Sequence, residues 1–149
     1  VPPHKPSEGG LSAEQVRENR AVVHRAWKLH YDHVRHSLVN AYYQGWDLHP
    51  AQLPTRYAAV YAFFLEGLDA AARRLSGFTA KAAQATLLGE VFDDAATGQG
   101  LLNFFLRGLS CGALTIEETA ATGLTVDDIK GRSFLKILER RRGNGPDAH

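Results

Sequence analysis

The sequence predicts a mostly α-helical chain with one short strand, and three features carry that prediction. Apolar residues recur at helical spacing over several long stretches. One segment of "YYQGWDLHPAQLPTRYAAVYAFF", Trp46–His49, breaks the helical pattern after Gly45 and reads as a strand closed by Pro50. No second convincing strand occurs. A lone strand leaves backbone donors and acceptors unmet. Helix, strand, helix is the unit of an alternating βα fold, in which successive strands pair in parallel. The missing strands are then expected upstream, and the chain reads as the C-terminal part of a larger α/β protein. The competing reading makes Trp46–His49 an extended connection in an all-helical domain.

The opening "VPPHKPSEGG" reads as a linker over residues 1–10. A helix is predicted from Ser12, which with Gln15 has capping-box spacing, to about Gln44. Val16, Val23, Trp27, Val34, Leu38 and Ala41 form its stripe, and Gly45 supplies a left-handed stop. Pro54 suits the first turn of the next helix. That helix carries Tyr57, Val60, Tyr61, Phe64, Leu68, Ala72 and Leu75 on one side and is predicted to end near Ser76-Gly77.

Thr79–Phe92 is ambiguous, with a weak helix favoured. Asp93 or Asp94 caps a further helix through Leu102, Phe105 and Leu109, stopped by Gly112. Thr115–Glu118 fits a capping box for a short helix ending near Gly123. Thr125–Asp128 opens a last helix to about Arg141. The expected organisation is a linker over 1–10, a helix–strand–helix unit over 11–78, a helical extension over 79–142 and a disordered tail over 143–149.

Composition narrows the function classes. Seventeen Lys and Arg against sixteen Asp and Glu give a net charge of +1, without the basic excess of a nucleic-acid binder. The single cysteine, Cys111, allows neither an internal disulfide nor a cysteine zinc site, which points to a reducing, cytoplasmic setting. No apolar run reaches the roughly 18 residues of a membrane span. The chain contains no Met, so its start reads as a cut or processed point in a longer protein, although removal of an initiator Met would look the same.

Two residues near the strand carry candidate chemistry. His49 ends the predicted strand and Asp47, two residues earlier, shares its face. His49 is either a substrate or water contact or a structural ring bonded to a loop carbonyl. Arg56 falls in the first turn of its helix, where the helix dipole disfavours a cation. A bound anion would relieve that conflict; a neighbouring acid would do the same. His24, His30, His33 and His36 step round their helix by about 100° per residue and do not converge on one ion. They read as a solvated face with edge histidines. "TGQG", Thr97–Gly100, lacks the third Gly and the preceding strand of a nucleotide loop. Cys111 reads as a small buried apolar residue. Arg140–Arg142 complement the last helix's C-terminus.

The stretch "GWDLHPAQLPTRYAAVYAFF" resembles the last strand and following helix of the HpcH/HpaI aldolase/citrate lyase β-like family, on Gly45, His49, Pro50 and Gln52. "LHYDHVRHSLVNAYYQGWDLHPAQL" and "FFLRGLSCGAL" look like an uncharacterised branch of it, and the resemblance covers roughly 22–124. It implies the C-terminal portion of a (β/α)8 barrel of the phosphoenolpyruvate/pyruvate type plus a helical extension. The implied activity is metal-dependent C–C bond aldolase or lyase chemistry on 2-oxo acids, 2-hydroxy acids or acyl-CoA thioesters. The implied Mg²⁺ would be held by a Glu and an Asp on strands outside this chain, so no cofactor is expected here and activity alone is not expected. Substrate binding would fall to Asp47, His49, Gln52 and Arg56, facing a small anionic substrate or CoA thioester. A homo-oligomer is expected, with no nucleic-acid or membrane partner. The alternative is an all-α binding or oligomerisation module without catalysis.

Overall fold

The computed structural model describes residues 2–42, 47–87 and 94–143. Among them it is helical throughout: α1 Ala13–Val39, α2 Leu53–Leu87, α3 Ala95–Ser110, α4 Val126–Lys130 and α5 Phe134–Gly143, with 3-10 turns at Pro50–Gln52 and Glu118–Thr122. The described residues contain no strand, so the helix–strand–helix unit of a (β/α)8 barrel is not what they form.

The reason lies in one side chain. Gln52 Oε1 accepts from Leu48 N at 2.8 Å and His49 N at 3.1 Å. These are the donors that a ladder at this segment needs, and they are spent locally. Leu48 is 92% exposed, so no sheet face covers it. His49 has extended backbone angles, φ −152° and ψ 140°, but serves as a cap rather than a strand end. Gly45 and Trp46 lie outside the described residues.

Contacts divide the chain into two compact units, residues 1–63 and 64–149. In the first, the Ser12/Gln15 capping box forms in full and starts α1. α1 stops earlier than predicted. Asn40 is its cap and Nδ2 of Asn40 donates to His36 O at 2.8 Å. Ala41 takes φ 63°, and Tyr42 N closes the end on Ser37 O at 2.7 Å. Only the C-terminal half of the α1 stripe enters the core. Val34 and Leu38 are buried with Ala59 of α2, and Tyr31, Val60 and Phe63 pack against them. Residues 2–10 are tied to α1. His4 N donates to Asn19 Oδ1 at 3.0 Å, Asn19 Nδ2 donates to His4 O at 2.9 Å, and the His4 ring meets the Glu18 carboxylate.

In the second unit, α2 does not end at Ser76-Gly77 but continues to Leu87. Leu75, Thr79 and Ala82 are all buried, extending the stripe at spacings of four and three. Thr79 Oγ1 donates to Leu75 O at 2.8 Å, and the Phe78 ring packs on Phe134 at 5.6 Å. Burial there outweighs the roughly 1 kcal/mol that a helical Gly costs. Asp94 caps α3 as expected, its Oδ1 accepting from Thr97 N at 3.3 Å; Asp93 lies outside the described residues. "TGQG" is helical. A Cβ at Gly98 would lie 2.3 Å from the Phe134 ring, so this glycine is a close approach between α3 and α5. Gly112, at φ 74°, follows the end of α3 as predicted. Cys111 is exposed rather than buried, because it falls at the helix cap and not on the apolar face.

Both threonine capping boxes form. The last helix, expected to be single, is two. Arg132 takes φ 53° between α4 and α5. Gln99 fills that break: its Oε1 accepts from Phe134 N at 2.9 Å and its Nε2 donates to Arg132 O at 3.3 Å.

Candidate functional site

In the first unit, α1 and the start of α2 are joined by a buried ionic cluster. His30 Nε2 lies 3.0 Å from Asp47 Oδ1, and Arg56 Nε donates to Asp47 Oδ2 at 2.6 Å. The Asp47, Arg56 and His30 side chains are 6%, 15% and 16% exposed. His30 Nδ1 lies 2.7 Å from Thr55 Oγ1, and Thr55 Oγ1 donates to Gln52 O at 2.9 Å. The hydrogen bond and charge of Arg56, with a smaller contribution from His30, hold the Asp47 carboxyl below the usual aspartate range despite its burial.

Of the four expected substrate contacts, the structure unites Asp47 and Arg56 with each other. The anion at Arg56 is thus the chain's own carboxylate. His49 and Gln52 work as a pair of a different kind, the capping box of the turn that leads into α2. His49 Nδ1 accepts from Ala51 N at 3.1 Å. His30 and Thr55 complete the cluster and were not singled out for it. His24, His33 and His36 are exposed as expected, whereas His30 is half-buried. Asp47, His30 and Thr55 follow the order acid, imidazole, hydroxyl. The Thr55 hydroxyl is nevertheless buried and bonded to a backbone carbonyl, which is the role of a helix-start threonine. Among the described residues no group of three His, Cys, Asp or Glu is placed to hold a metal ion.

Beside the cluster lies a groove of about 450 Å³. Val22, Val23, Ala26 and Trp27 of α1 and Ala51 supply its apolar walls, and Pro2 closes one side. His30, His49, Gln52 and Thr55 are its polar members. Trp27 is 42% exposed, so much of its ring is available here. No described helix is long and apolar enough to cross a membrane.

These features define an all-α protein, in its described residues, with an apolar groove set against a buried ion cluster. Residues 3–137 match the family described as Domain of unknown function (DUF6986), and the chain belongs to that family. No curated protein and no solved structure matches it. The resemblance to the HpcH/HpaI aldolase/citrate lyase family is overturned, since no match to that family accompanies this one. The short motif that carried it, His49-Pro50-x-Gln52, has a local use as a capping box.

Proposed function

We propose that the chain is an all-α binding module whose groove beside α1 takes a small ligand with an apolar body. One observation carries this reading. A cavity of ligand size, about 450 Å³, is walled by valines, alanines and a half-exposed tryptophan, with four polar side chains among its lining. The adjoining ion cluster supports it, because a fixed α1–α2 junction presents a preformed wall and spares the ligand an ordering cost. The strand and the family resemblance no longer lend support to a lyase reading.

Screening a small-fragment library by ¹H–¹⁵N chemical-shift mapping tests the proposal. Hits should shift the amides of Val22, Val23, Ala26 and Trp27 together, and Trp27→Ala should abolish them. A screen whose hits all map elsewhere would remove the groove as the site.

A further inference from the structure

We infer that the groove's ligand is a small carboxylic acid, its carboxylate held by His49 and Gln52 and its apolar body lying against Trp27. This rests on the binding-module reading and adds the chemistry of the head group.

Four polar side chains line the groove. Two are already spent on the protein: His30 meets Asp47 and Thr55 through its two nitrogens, and Thr55 Oγ1 meets His30 and Gln52 O. The other two are half spent. Gln52 uses its oxygen on Leu48 N and His49 N, which assigns the amide and leaves both N–H groups of Nε2. His49 uses Nδ1 to accept from Ala51 N, so in the neutral ring the proton is on Nε2. Among the described residues neither His49 Nε2 nor Gln52 Nε2 has a partner. Both are donors, and the two side chains are held together by one capping box. Among these four described side chains no acceptor remains uncommitted in the same way. A ligand head rich in acceptors therefore matches, and one rich in donors does not.

A carboxylate fits this better than a carbonyl or hydroxyl. It offers two oxygens to two neighbouring donors, and hydrogen bonds to an ionised acceptor are roughly twice as strong as neutral ones. The remainder of the ligand must be apolar, because Val22, Val23, Ala26 and Trp27 offer it nothing else. Trp27 adds an aromatic face, suited to an aryl or alkyl body.

The test compares three molecules of one shape: 4-phenylbutyrate, 4-phenylbutan-1-ol and 4-phenylbutylamine, titrated into the full chain by shift mapping. The acid should bind at least tenfold more tightly than the alcohol, and the amine most weakly. Gln52→Glu is the informative variant. It keeps the oxygen that caps Leu48 and His49 but replaces the N–H donors with a negative acceptor. It should erase the acid's preference over the alcohol, with thermal unfolding unchanged. If acid and alcohol bind equally to the wild type, or Gln52→Glu keeps the preference, the carboxylate inference falls and the groove stands. If none of the three binds at the groove, the binding-module reading falls as well.

Discussion

His30 and Asp47 stand 3.0 Å apart, Nε2 to Oδ1, in a site where both side chains are largely buried. The contact spans 17 residues and joins the middle of α1 to the segment that leads into α2. Arg56 on the other carboxylate oxygen, at 2.6 Å, makes Asp47 the centre of a three-residue clamp. Removing the centre strands two partners. Asp47→Ala should destabilise the first unit by about 3–5 kcal/mol, the usual cost of breaking a buried pair from one side. Hydrogen exchange along α1 and the start of α2 measures it. A loss under about 1 kcal/mol would place the cluster with ordinary surface pairs.

The same carboxylate sets a pH dependence. Its folded pKa is lowered from the ordinary 3.8, chiefly by Arg56, so the unfolded chain binds the proton more readily. Its stabilisation is therefore complete above about pH 3.8 and drains away as pH falls from there through the lower folded value. Other carboxylates titrate nearby, so the readout is a difference. The stability gap between wild type and Asp47→Asn should shrink as pH falls below about 4. A gap that widened on acidification would reverse the sign and refute the assignment.

Leu48 separates the observed capping turn from a buried strand. It is 92% exposed, and its N–H is held by Gln52. Leu48→Glu should change stability by no more than about 0.5 kcal/mol, as exposed substitutions generally do. A leucine in a barrel strand would cost several times that. Urea unfolding of the two proteins decides the point.

How far the sequence could be read follows from the range of the forces involved. Ser12/Gln15, Thr115/Glu118, Thr125/Asp128 and Asp94 all cap as their spacing predicts, because each cap is complete within four residues. Gly112 and Gly123 stop their helices for the same local reason. The strand failed for a local reason too. Extended angles at His49 are real, but Gln52 takes the backbone donors, so the His49-Pro50-x-Gln52 motif is a capping box and not a strand end. α2 outran its predicted end because Phe134, far along the chain, packs on Phe78. Near Ser76-Gly77 only the spacing of Leu75, Thr79 and Ala82 hints at that. His30 is legible in the sequence. It lies seven residues after Val23 and four before Val34, inside the apolar stripe. A histidine inside an apolar stripe calls for a buried polar partner, and Asp47 and Thr55 supply it.

Gly98 should not accept a side chain. A Cβ there would sit 2.3–2.7 Å from three ring atoms of Phe134, which is fully buried. Helix propensity favours Gly98→Ala by about 1 kcal/mol. Overpacking a core typically costs about 1–3 kcal/mol, and a contact this short lies at the upper end. The net expectation is a loss of about 1–2 kcal/mol. Gly100 is the internal control: nothing lies within 4 Å of its Cβ position, so Gly100→Ala should stabilise α3. If both alanines stabilise equally, the α3–α5 approach is looser than described.

Gln99 gives the sharpest test of how α5 begins. α5 follows a left-handed residue, Arg132, and has no long apolar approach to fix its start. Instead the Gln99 amide from α3 accepts from Phe134 N at 2.9 Å and donates to Arg132 O at 3.3 Å. It thereby satisfies a helix-start N–H that has no partner within α5. Ser133 contributes a weaker local cap, its Oγ accepting from Lys136 N at 3.4 Å. Gln99→Leu keeps the bulk and removes both bonds together with the one that Nε2 donates to Asn103 Oδ1 at 3.0 Å. It should cost about 1–3 kcal/mol, because the Phe134 amide is left half-buried and unsatisfied. Gln99→Glu keeps the acceptor, and a negative charge at a helix start is favourable by about 0.3–1 kcal/mol. It also loses the donor to Arg132 O and sets two acceptors against each other. The glutamate should therefore fall between wild type and leucine. The Phe134 amide distinguishes the cases: its hydrogen-exchange protection should survive in Gln99→Glu and collapse in Gln99→Leu. Equal protection in both variants would show that the start of α5 is held by Ser133 and the burial of Phe134 alone.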